Sequence, residues 1–112
     1  MASADELWLI DFGEPVASEP ANVRPAMVVS SDAFHETGFQ VRFVVPGTTV
    51  RKPWSTRVEL EPTAGNGLRE TTYLQCDQLR SVDAHRLVRR LGVVDAETAA
   101  RVRWIIAAII EG

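Results

Sequence analysis

Polar and apolar positions along the chain sort into short extended segments followed by one amphipathic helix. Over 6–12 (ELWLIDF), Trp8, Ile10 and Phe12 alternate against their neighbours, the period of a strand. Residues 13–23 (GEPVASEPANV) collect Gly, Pro, Ser and Asn and read as a long loop. Proline fixes φ and donates no hydrogen bond, so Pro25 is expected to open a second strand over Ala26–Val29, closed by a turn at Ser30-Ser31-Asp32. DAFHETG then turns the chain, and 39–45 (FQVRFVV) predicts a third strand with Val41, Phe43 and Val45 on one face. An irregular segment is expected over 46–55 (PGTTVRKPWS). Further strands follow over 56–61 and 71–76, DQLRSVD turns again, and 85–94 reads as a strand or a short helix. From Asp95, a capping residue, a helix runs to Gly112. Ala99, Val102, Ile105, Ile106, Ile109 and Ile110 form its apolar stripe, and Trp104 lies off it as a candidate for a second buried contact. Short strands covered by one helix predict a small β-barrel or curled sheet, as one domain over 1–112.

Composition narrows the function classes. The 112 residues are 46% hydrophobic and 24% charged, ordinary for a globular protein. Cys76 is the sole cysteine, which excludes an intrachain disulfide and points to a reducing cytoplasm. No signal-peptide layout opens the chain, and the longest apolar run, Trp104–Ile110, is too short to span a bilayer. A net charge of −3 argues against nucleic-acid binding driven by overall charge, but leaves room for a local basic groove.

Metal chemistry is not expected, since His35 and His85 are far apart and no acidic cluster has ligand spacing. Cys76 sits in an apolar strand and reads as a buried, inert thiol. What remains is polar groups at strand ends. Arg24 is held by the Arg-Pro pair at a strand mouth, where a guanidinium can take a phosphate or carboxylate in a planar, bidentate grip. On spacing alone, a surface arginine salt-bridged to Glu19 or Glu14 is the plainer reading. Thr48 and Thr49 offer hydroxyls just after the third strand. Arg51 and Lys52, with Trp54 nearby, combine positive charge with an aromatic face, as a single-stranded nucleic-acid surface does. A packing role for Trp54 and a solvated turn for the basic pair are the alternatives.

Taken in order, these stretches resemble the MazF/PemK family of toxin endoribonucleases. ELWLIDFGEP resembles the family's opening strand, and SEPANVRPAMVVSSDAF its Ser-Glu…Arg-Pro segment. VVPGTT resembles its Pro-x-Thr strand end, and LQCDQLRSVDAHRL its Asp/Glu-Gln-Ile-Arg-Thr-Ile-Asp signature. ASADELW departs from the basic residue and glycine usual before the first strand. The resemblance implies an SH3-like barrel with added helices, a homodimer, and a sequence-specific, metal-independent endoribonuclease without cofactor. The substrate would be single-stranded RNA, and a MazE-like antitoxin would neutralise the toxin in the cytoplasm. It implies Arg24 and Thr48 as the active pair, Thr48 falling third in the Pro-x-Thr pattern, with Glu19 supporting them. Ser18, Thr49, Arg51, Lys52, Trp54 and Arg57 would bind RNA. Non-nucleolytic relatives of the same fold that poison DNA gyrase are the alternative, and they lack the Arg/Thr pair.

Overall fold

A computed structural model describes residues 2–13 and 22–112; Ser18 and Glu19, expected at the site, lie outside the described residues. The strands are β1 (Glu6–Asp11), β2 (Val23–Val28), β3 (Val41–Thr48), β4 (Arg57–Leu60), β5 (Thr72–Gln75), β6 (Arg80–Asp83) and β7 (Leu87–Val93). A short helix, α1 (Asp32–His35), separates β2 from β3, and α2 (Ala96–Glu111) ends the fold. The strands run in the order β4-β5-β3-β2-β1-β7, with β6 paired to β3. All the pairings are antiparallel. This is the mostly-β, barrel-like architecture with a C-terminal helix that the hydrophobic pattern predicts.

Two cores explain why the central strands read as continuous apolar runs. On one face, Leu7, Met27, Val45, Val58, Leu60, Leu74 and Cys76 pack against Ala99, Val102 and Ile105 of α2. On the other face, Ile10, Ala26, Val28, Val44 and Val82 form a second cluster. A sheet buried on both faces needs apolar residues at successive positions, so alternation disappears in AMVV and VV. Strand pairing does not close the sheet. The turn before β5 instead reaches β7, where Val93 N–H donates to the Gly65 carbonyl at 2.9 Å. The crossing depends on Gly92, because a Cβ there would lie 2.2 Å from the Gly65 oxygen. Asp95 caps α2 as expected, its carboxylate accepting from Thr98 N–H at 3.0 Å.

Several local expectations differ from the structure. β2 starts at Val23, so Pro25 sits inside it, paired with Leu9; the ladder to β3 begins only at Ala26, so the absent N–H costs no bond there. β3 begins at Val41 and continues through Pro46 and Gly47 to Thr48, because β5 pairs with Gly47 and Thr48. Val41, Phe43 and Val45 keep the alternate positions of one strand face, but Phe43 is 40% exposed where Val45 is buried. SVD belongs to β6, held by β3, and DAFH forms α1. Trp104 makes no buried contact in the chain, being 71% exposed, and Ile109 and Ile110 beyond it are also exposed. No helix among the described residues is long and apolar enough to cross a membrane.

Candidate active site

Arg24 lies on β2 two residues before its ladder to β3 begins, and Thr48 ends β3, where it pairs with Tyr73 of β5. β2 and β3 pair through Val28↔Val44, Met27↔Val45 and Ala26↔Pro46. The pairing stops there; counted on by two residues, the same register would bring Arg24 opposite Thr48, the last residue of β3. Directly opposed residues of an antiparallel pair project to the same face. Both residues are half-buried. Gly47 permits the arrangement, since a Cβ there would stand 2.5 Å from Thr72 Cγ2 and 3.3 Å from the Pro25 oxygen. The Thr48 hydroxyl oxygen accepts from Val50 N–H at 3.2 Å, which leaves its own proton to donate to an incoming oxygen.

Arg24 lines a cleft of about 160 Å³ together with Phe12, Asn22, Pro46, Gln75, Gln78 and Arg80. Among the described residues, the lining holds two guanidinium groups and three amides, a composition suited to an anion. Of its residues, Gln75 ends β5, Arg80 begins β6, and Gln78 lies on the passage between them. A single turn of 3-10 helix, Cys76–Gln78, makes that passage, and buried Cys76 anchors it. Cys76 N–H donates to the Thr56 carbonyl at 3.0 Å. Burial pushes the Cys76 thiol up to about 11, so it stays protonated and unreactive. Arg80 lies over the Phe12 ring, 5.1 Å from its centroid, a cation–π contact that fixes one wall.

The expected RNA-binding residues divide between two places. Lys52 and Arg57 both lie over the ring of exposed Trp54, at 5.9 and 4.8 Å from its centroid. Arg57 also donates to the Val50 carbonyl, and it pairs across β4 and β5 with Gln75 of the Arg24 cleft. Arg51 is exposed on the same segment. Thr49 turns elsewhere, into a separate cleft with Leu9, Pro25, Leu68 and Arg89. Sequence reasoning missed Phe12, Asn22, Gln75, Gln78 and Arg80 as lining residues. Gln78 and Arg80 carried a signal, since both belong to the DQLRSVD signature.

The comparisons decide which family built this site. Residues 4–110 match the family described as the PemK-like, MazF-like toxin of type II toxin–antitoxin systems. The chain belongs to this toxin family. It is 36% identical over 106 residues to endoribonuclease MazF9 of Mycobacterium tuberculosis, covering 90% of this chain and 89% of that protein. In fold, this PemK/MazF chain is similar to the crystal structure of MazF from Deinococcus radiodurans, with a TM-score of 0.79 and 23% identity over 99% of this chain and 97% of that one. It is similar also to a mycobacterial endoribonuclease solved in complex with its cognate antitoxin (TM-score 0.79, 21% identity, 99% and 96% covered).

Proposed function

We propose that this chain is an endoribonuclease toxin that cleaves single-stranded RNA at specific sequences by attack of a 2′-hydroxyl on the adjacent phosphate. RNA supplies its own nucleophile, so the protein has mainly to position the phosphate and stabilise the charge that develops on it. Arg24 grips the phosphate oxygens in its planar fork, and the Thr48 hydroxyl donates to a nonbridging oxygen. Glu19 orients or exchanges a proton. Ser18, Arg51, Lys52, Trp54 and Arg57 hold the flanking nucleotides by charge and stacking, and Thr49 contributes from the neighbouring cleft. No step in this chemistry calls for a metal.

The observation that carries the reading is the cleft that Arg24 lines with a second cation and amides, at the end of β2 whose register, counted on past Ala26↔Pro46, would oppose Arg24 to Thr48. Family membership and the endoribonuclease relative favour cleavage over gyrase binding. A homodimer agrees with the apolar surface left at Trp104, Ile109 and Ile110, and a cognate antitoxin with an acidic segment agrees with the basic surface around Trp54. The cytoplasm is the expected compartment. Incubating the purified chain with a long mixed-sequence transcript in excess chelator tests the proposal. Discrete fragments ending in cyclic phosphate are expected; an intact transcript, or cleavage only after metal is restored, refutes it.

A further inference from the structure

The face of the sheet that carries Arg24 at one end carries a second arginine at the other. Arg42 occupies an even position of β3, as Thr48 does, and lies about 20 Å along the strand from it. It is only 5% exposed. One of its terminal nitrogens donates to the carbonyls of Val41 at 3.1 Å and Phe39 at 3.5 Å, while its buried Nε has no hydrogen-bond partner among the described residues. No described carboxylate pairs with it. His35, which lines the same cleft, is itself buried, and burial together with the Arg42 charge holds its imidazole below the usual histidine range. A buried guanidinium without a counter-charge weakens the fold that contains it.

Arg42 lines a cleft of about 750 Å³ with Trp8, Asp32, Glu36, Phe39 and Leu87 among its walls. The walls are held in advance. The Trp8 indole donates to Glu6 at 3.1 Å, and Asp32 accepts from Ala4 N–H at 2.8 Å. The charge pattern selects the occupant. A cation at the base asks for one anionic group, and the apolar walls ask for hydrocarbon beside it. Exposed Asp32 and Glu36 repel a chain of phosphates and favour a basic neighbour.

We infer that the Arg42 cleft is a docking site for a peptide segment of a partner protein, which seats a single carboxylate on the Arg42 guanidinium and an apolar side chain against Trp8 and Leu87. The partner expected to carry it is the antitoxin, and in that respect alone the inference rests on the proposed function. The site is distinct from the Arg24 cleft, so it can fail while RNA cleavage stands, and the reverse.

The test follows the Arg42 Nε–H resonance by NMR in the purified chain. The probes are acetyl-Leu-Glu-Leu-Arg-amide, its Glu→Gln counterpart, and a short oligouridylate. The glutamate peptide is expected to shift the resonance at millimolar concentration, the glutamine peptide to bind at least tenfold more weakly, and the oligonucleotide to leave it unmoved. Arg42→Met should abolish the difference between the peptides while keeping full RNA cleavage and a thermal midpoint no lower than that of the parent chain. Equal binding of the two peptides, no shift with either, or a shift with the oligonucleotide would overturn the inference. A change of oligomeric state in Arg42→Met, read by light scattering, would equally overturn it and give the cleft to a second copy of the chain.

Discussion

Arg24 and Arg42 stand at opposite ends of one sheet face, and their surroundings differ in almost every respect that sets what an arginine can do. The Arg24 cleft is small and polar, and its described lining pairs Arg24 with Arg80 as a second cation. The Arg42 cleft is several times larger, walled by Trp8, Phe39 and Leu87, and rimmed by Asp32 and Glu36. Phosphate, with its spread charge, suits the first, because two guanidinium groups can share it. The second suits one isolated carboxylate. Residue type therefore fixes the sign of the charge at each end, and the neighbours fix which anion is accepted.

The largest effect expected from separating the two ends falls on Arg24. Arg24→Ala should cost about 3–4 kcal/mol of barrier, by analogy with removal of one oxyanion donor, and slow cleavage by roughly two to three orders of magnitude. Arg24→Lys should recover only part of the rate, since an ammonium keeps the charge but loses the fork. Initial cleavage rates, measured beside thermal unfolding to establish that each variant is folded, decide this. A folded Arg24→Ala chain that cleaves normally would remove the distinction between the two ends.

Thr48→Ala should slow cleavage roughly tenfold, the order of one lost neutral hydrogen bond in the transition state. Thr49→Ala should do much less, because Thr49 lines a different cleft. Rates for the two single variants on one substrate sharpen the site to a single threonine. Equal losses would extend the reaction surface across both clefts.

At the other end, Arg42→Met should leave cleavage unchanged and raise the thermal midpoint by a few degrees, since a flexible apolar side chain replaces a buried charge without a counter-ion. Scanning calorimetry reads this directly. A fall in the midpoint would mean that the two carbonyl bonds at Phe39 and Val41 outweigh the desolvation of the charge.

The smallest effect is on pH. Burial, reinforced by Arg42, holds His35 below its ordinary value of 6.5, so the unfolded chain binds its proton first. Its contribution is fully present above 6.5 and is lost as the pH falls from there through the lowered folded value. The midpoint should therefore drop as the pH is lowered below 6.5, and His35→Gln should flatten that part of the profile. Removing the Arg42 charge should also reduce the slope, which ties the titration to this end of the face.

Much of the fold could be read from residues near one another in the chain. The α2 helix depends on Asp95 as its cap and on spacings of three and four from Ala99 to Ile110, and both are local properties. The strands around Trp8, Val58 and Leu74 were equally legible, and the Arg-Pro and Pro-x-Thr stretches singled out Arg24 and Thr48. Errors fell where a distant partner overrides local preference. Pro25 is tolerated in β2 because the ladder to β3 begins one residue later, and SVD is extended because β3 offers an edge to it. Only the tertiary structure placed Gln75, Gln78 and Arg80 beside Arg24, and only it buried Arg42, which on sequence alone reads as one more polar position in an alternating strand. The physical reason is the same in each case. Periodicity, capping and turn chemistry act over a few residues, whereas burial and charge pairing depend on which distant strand the register brings alongside.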